Sequence, residues 1–290
     1  MPKVKFYIAN LDQISGVLCW TVADNYFDNK AETIEMYPEL EGKMALTKTN
    51  EERYDIFESL LAPNYNKHIK SNENIYDSYI KTWNQYNDKY MNAMGKYFNM
   101  KWPNKDEEFQ ALVADLPIFP RNVEDHSFYV TGYGSLIDYC KKHTQIDIKN
   151  KKEVDKVFKD KFEEISMTVV MHECCHFFFF EKCKEIFSNL EYSDCNAPSL
   201  LWHLSEMAIE PILNSKQVQD VFKYDFKANY NCYIPKKDNH LMMDDIKDIF
   251  NNNSIEEAIK IGYQYLLDNE KALREANNED VIPGTSKILK

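Results

Sequence analysis

Hydrophobic periodicity divides the chain into a mixed front part and a helical remainder. Val4 to Ile8 and Val17 to Val22 read as two short strands joined through a connection containing Gly16. Asn50-Glu51-Glu52-Arg53 opens a helical stretch that reaches Leu61 and is predicted to stop at Pro63. From Ile69 to Phe98 the apolar residues Ile75, Tyr79, Trp83, Tyr86, Tyr90, Met94 and Phe98 recur every three or four positions, one stripe of a helix. Trp102-Pro103-Asn104 breaks the pattern. Phe109 to Ala114 and Ser127 to Thr131 then read as strands, separated by the proline-bearing segment Leu116 to Arg121, and Gly132 and Gly134 punctuate the end.

After residue 148 the period is helical throughout. Asn150 and Glu153 are spaced like a capping box. Val154, Val157, Phe158, Phe162, Ile165 and Val169 continue toward Phe187, a span long enough to predict a kink or break before His172. Ser199 to Asn214 is the next helix, and Ser254 with Glu257 opens another to about Ala276, followed by a loose tail containing Pro283-Gly284. The expected fold class is α+β, mostly helical: a small mixed sheet in an N-terminal part (1–148), then a helical part (149–290), the two forming one continuous unit. Few glycines and prolines, 7 and 10 in 290 residues, argue against a loop-dominated all-β fold.

Candidate chemistry lies within the longest helical run. His172-Glu173-Cys174-Cys175-His176 reads H-E-x-x-H. Two histidines four apart share a helix face, so their ring nitrogens can converge on one zinc ion, Zn2+. Glu173 projects about 100° further round, where it can accept a proton from a metal-bound water. A catalytic zinc takes three protein ligands and keeps one position for water. Glu206, thirty residues after His176, is the expected third ligand, on a helix that returns beside the first. Glu210, one turn further, is placed to hydrogen-bond the far nitrogen of a zinc-bound histidine. His203 in place of Glu206, and Cys175 as an additional ligand, remain open at this point; a small core role suits both adjacent cysteines better.

From Val169 to Glu210 the chain resembles the gluzincin metallopeptidases, in which H-E-x-x-H is followed by a glutamate ligand on a later helix. The resemblance implies His172, His176 and Glu206 as metal ligands, Glu173 as general base and Glu210 as the acid supporting a histidine. It implies a sheet ahead of the motif helix, whose edge strand holds extended peptide, a role expected of Ser127 to Thr131. It also implies a downstream oxyanion donor, expected at Tyr230 or Tyr233, in a loop-like stretch with Tyr224 and ahead of His240. The chain departs from the better-known subfamilies. Ser205 precedes Glu206, the aminopeptidase G-x-M-E-N signature is absent, and Lys182 stands where metzincins carry a third histidine.

Charge narrows the partners. The net charge of −12 disfavours nucleic acid and anionic lipid, and the resemblance to metallopeptidases implies a peptide or protein substrate. No apolar run is long enough for a membrane span, and the N-terminal residues lack a signal-peptide pattern. Seven cysteines without a C-x-x-C pair suit reduced thiols in a cytoplasmic protein, with leaderless export left open. The sequence supports a zinc metallopeptidase. A catalytically silent peptide-binding relative and a zinc amidohydrolase acting on a non-peptide amide are the alternatives. Oligomeric state is not legible.

Overall fold

A computed structural model describes residues 1–23, 33–34, 36–43, 49–104, 106–134, 136–137, 140, 145, 147, 150–236, 240–279 and 288. The expected tail around Pro283-Gly284 lies outside them. Among the described residues no helix is long and apolar enough to cross a membrane.

The fold is α+β and mostly helical, with one four-stranded mixed sheet. Strands β1 (Lys3–Ile8), β2 (Glu108–Ala114), β3 (Arg121–Asn122) and β4 (Ser127–Thr131) are ordered β1-β2-β4-β3. β1, β2 and β4 run parallel, and β3 pairs antiparallel with β4. The edge role expected of Ser127 to Thr131 needs correcting. β4 has β2 on one side, and on the other Phe128 and Ser127 face Arg121 and Asn122 of β3. The Tyr129 N–H also donates to the Pro120 carbonyl, at 3.0 Å. Beyond β4, Gly132 and Gly134 wrap the Asp115 carboxylate so closely that a Cβ on Gly132 would lie 2.3 Å from Asp115 Oδ1.

Val17 to Val22, expected as a strand, belongs to helix α1 (Leu11–Ala23). Asn10 caps it: the Gln13 N–H donates to Asn10 Oδ1 and the Asn10 N–H to Gln13 Oε1, a reciprocal box. Burial of Ile14, Leu18 and Cys19 at helical spacing outweighs the local β-branched character. Helix α2 (Asn50–Trp83), boxed by Thr49 and Glu52, runs straight through Pro63, where the sequence predicts a stop. Helix α3 (Asn87–Tyr97) follows, so the predicted Ile69 to Phe98 helix is interrupted at residues 84–86.

Helix α4 (Lys151–Ile186) is 36 residues long and carries H-E-x-x-H; of the kink or break expected before His172, the break is not there. Ser166 and Thr168 satisfy their hydroxyls on the helix's own carbonyls of Phe162 and Glu164, and no proline intervenes. Asn150 does not cap α4 through its side-chain oxygen; its amide instead donates to Glu153 Oε1 at 2.8 Å. Phe177 packs edge-on against Phe109 and Phe128 of the sheet, and Phe178 against Trp102. On the other side lies helix α5 (Leu200–Leu213), whose first turn is closed by Ser199 Oγ accepting from the Trp202 N–H. Helices α6 (Lys216–Gln219), α7 (Met242–Asn252), α8 (Ile255–Asp268) and α9 (Glu270–Asn277) complete the described C-terminal part. Ser254 and Glu257 form the expected box, but the helix they open ends at Asp268 and restarts after Asn269. The larger hydrophobic core draws on both sides of residue 148, from Val4 and Phe109 to Phe177, Leu204 and Leu266.

Candidate metal centre

His172 and His176 stand one turn apart on α4, with their Nε2 atoms 3.0 Å apart. Two imidazole nitrogens at that distance need a proton or a cation between them. Glu206 reaches over from α5: Oε2 lies 3.6 Å from His172 Nε2, and Oε1 lies 3.4 Å from His176 Nε2. The donor atoms of these three residues all fall within 4.8 Å of one another. Metal–ligand bonds of roughly 2.0–2.1 Å at tetrahedral angles put ligand atoms about 3.3 Å apart, so the triangle fits zinc with small adjustments. The nitrogen and carboxylate donors are those zinc prefers in catalytic sites. His176 is fully buried, whereas the His172 side chain is 27% exposed, so the site opens on the His172 side.

Glu173 is buried beside this triangle, Oε1 at 3.9 Å from His172 Nε2. Its Oε2 has no hydrogen-bond partner, and neither has His176 Nδ1. A buried polar atom left without a partner costs about 1–3 kcal/mol, so both atoms are open to a ligand or a proton.

Arg121 was not singled out by sequence reasoning. Its side chain is 10% exposed and enters from β3. Nη2 donates to Glu206 Oε1 at 2.9 Å, and Nη1 stands 3.5 Å from Glu173 Oε2. Nε is buried without a partner. The guanidinium lies 5.9 Å from the Phe180 ring centroid, and the same ring stacks on His176 at an interplanar angle of 19°. One signal was available in the sequence: Arg121 is one of only three arginines in a lysine-rich chain, and arginine is the residue suited to buried carboxylate pairing.

The electrostatics follow the geometry. Burial alone would raise Glu206, but His176, Arg121 and His172 together hold it well below the usual carboxylate range. Burial pushes Glu173 up, against the pull of His172 and Arg121. Burial, then Arg121, drives His176 well below the ordinary imidazole value. His172 is also pulled down by burial, yet the Glu206 hydrogen bond and the two carboxylates leave it raised.

The other candidates lie elsewhere. Glu210 does not reach a histidine. Its Oε2 accepts from the Tyr233 hydroxyl and from the Ala228 N–H at 3.1 Å, and its Oε1 lies 2.6 Å from Lys247 Nζ. Its position on α5 one turn past Glu206 turns it toward the segment before α7 instead. Tyr233 is therefore engaged by Glu210, and Tyr230 is 85% exposed in a single 3-10 turn. His203 pairs with Glu279 at 2.9 Å rather than with the cluster, and His240 pairs with Asp245 at 2.7 Å. Cys174 and Cys175 are fully buried core residues whose thiols burial pushes well up. Ile165, Thr168 and Val169 continue the His172–His176 stripe toward the start of α4. With Phe119, Thr131, Glu164 and Tyr224 they line a mostly apolar cavity of about 250 Å3. No protein-family model, no curated protein and no solved structure matches the chain.

Proposed function

We propose that the chain is a zinc-dependent metallopeptidase that hydrolyses peptide bonds in a peptide or protein. The observation that carries this reading is the convergence of His172, His176 and Glu206 from two helices, with the Glu173 carboxylate alongside. Zinc held there supplies a Lewis acid and brings a water's pKa down toward neutrality. Glu173 accepts the water proton as the water oxygen adds to the scissile carbonyl carbon, and the carbonyl π pair moves onto the carbonyl oxygen. The C–N bond then breaks, its electron pair leaves with nitrogen, and Glu173 returns the proton to that nitrogen. Substrate enters from the His172 side, since His176 is sealed beneath it.

One observation favours a second reading. Arg121 itself brings a positive charge to Glu206 and Glu173, an arrangement that also suits a peptide-binding protein that cuts nothing. Metal analysis with a cleavage profile decides between them. One zinc per chain is expected, lost in His176→Ala and Glu206→Gln. Glu173→Gln is expected to keep its zinc and lose about 10²–10⁴-fold in turnover on a mixed peptide library. A wild-type chain that takes up no zinc ends the metallopeptidase reading. Zinc uptake with no peptide cut favours the binding reading or a non-peptide amide.

A further inference from the structure

Resting on the peptidase reading, we propose that Arg121 is the hydrogen-bond donor that receives the negative charge created on the substrate's carbonyl oxygen. The tyrosines expected in that role are not at hand: Tyr230 faces solvent and Tyr233 is tied to Glu210. Arg121 is at hand. It touches a ligand carboxylate, Glu206, on one edge and stands beside the general base, Glu173, on another. A substrate carbon attacked by water that both acids serve lies next to the same guanidinium.

Its donors are also unspent there. The 3.5 Å from Nη1 to Glu173 is long for a hydrogen bond, and Nε–H, though buried, has no acceptor. A guanidinium presents five N–H groups in a rigid fork and keeps its charge at any working pH, so it can hold Glu206 and still donate to a second oxygen. It is fixed in advance. β3 pairs Arg121 with Phe128, and Phe180 carries Arg121 on its ring while stacking on His176. A donor already oriented in a buried site stabilises developing charge without reorganising. No covalent bond to Arg121 forms. It donates hydrogen bonds while the oxygen holds the electron pair and releases it when the C–N bond breaks.

The test uses two probes on the zinc-loaded full chain, read by calorimetry. N-phosphoryl-leucinamide is tetrahedral and anionic at the position of the attacked carbonyl. N-acetyl-leucinamide is planar and neutral there. Leucine is matched to the mostly apolar cavity lined by Ile165 and Val169, on the α4 stripe that leads to His172. Arg121→Met is expected to lose about 100-fold in affinity for the phosphoryl probe and less than about threefold for the acetyl probe, with zinc content unchanged. On cleaved peptides kcat is expected to fall about 10²–10³-fold with little change in KM, and added guanidinium ion to restore part of it in Arg121→Gly. Should Arg121→Met fail to fold, Arg121→Lys keeps the charge beside Glu206 and Glu173, and it is expected to show the same selective loss more weakly.

Equal losses on both probes, or zinc lost in step with activity, would overturn the proposal and leave Arg121 as a clamp on Glu206. Unchanged phosphoryl affinity would overturn it too, as would a loss confined to peptides with a free terminal carboxylate. A wild-type chain without zinc is a different failure, that of the peptidase reading itself.

Discussion

Glu210 is an acid whose partners explain it completely. It is buried, and it receives the Tyr233 hydroxyl, the Ala228 N–H and the Lys247 ammonium. Burial would raise its carboxyl, but the Lys247 and Tyr233 hydrogen bonds hold it below the usual value. A group lowered on folding stabilises the native state at pH values above its unfolded pKa, and that stability disappears as pH falls through the native pKa. Glu210→Gln is therefore expected to cost about 1.5–3 kcal/mol near pH 7 in urea unfolding, and to narrow the gap from wild type below about pH 4. The H-E-x-x-H pentad was legible because its geometry is local: two residues one helical turn apart need only the helix. Glu206 was within reach of spacing arguments, since one turnaround joins its helix to the first. Arg121 and the Glu210–Lys247 pair were not, because their partners are brought together by the sheet and by α7 rather than by chain proximity.

Among the elements, strength of capping decided what the sequence could reveal. Ser254 with Glu257 announces its helix and does form a box, and Thr49 with Glu52 forms one that the sequence reading passed over. Asn10 with Gln13 is the same device, and without it Val17 to Val22 reads as a strand on β-branched character alone. The two expected helix breaks share one cause. Pro63 and the stretch before His172 lie in helices buried on both sides of the doubtful point: Phe57 and Leu61 before Pro63, Ile75 and Tyr79 after it. Tertiary packing therefore carries α2 across a proline that would end an isolated helix. Pro63 is exposed and does none of this packing itself. Pro63→Ala is expected to raise stability by about 1–3 kcal/mol, seen as a higher melting temperature in calorimetry.

At the scale of the whole molecule, one core joins the sheet, the motif helix and the C-terminal helices. The strand periodicity of β2 and β4 and the helical periodicity after residue 150 made that class of fold legible. The order β1-β2-β4-β3 was not legible, because a two-residue strand such as β3 leaves no periodic trace. Glu206 and Glu210 sit one turn apart on α5 and grip opposite neighbours, the histidine pair on one side and the segment before α7 on the other. A rigid rod that ends in two handles transmits a pull on either. Seating a cation against Glu206 is therefore expected to quiet the backbone around Ala228 and Tyr233, lowering deuterium uptake there in exchange mass spectrometry. Chelation is expected to restore that uptake, although none of the three candidate ligands, His172, His176 and Glu206, lies in that segment.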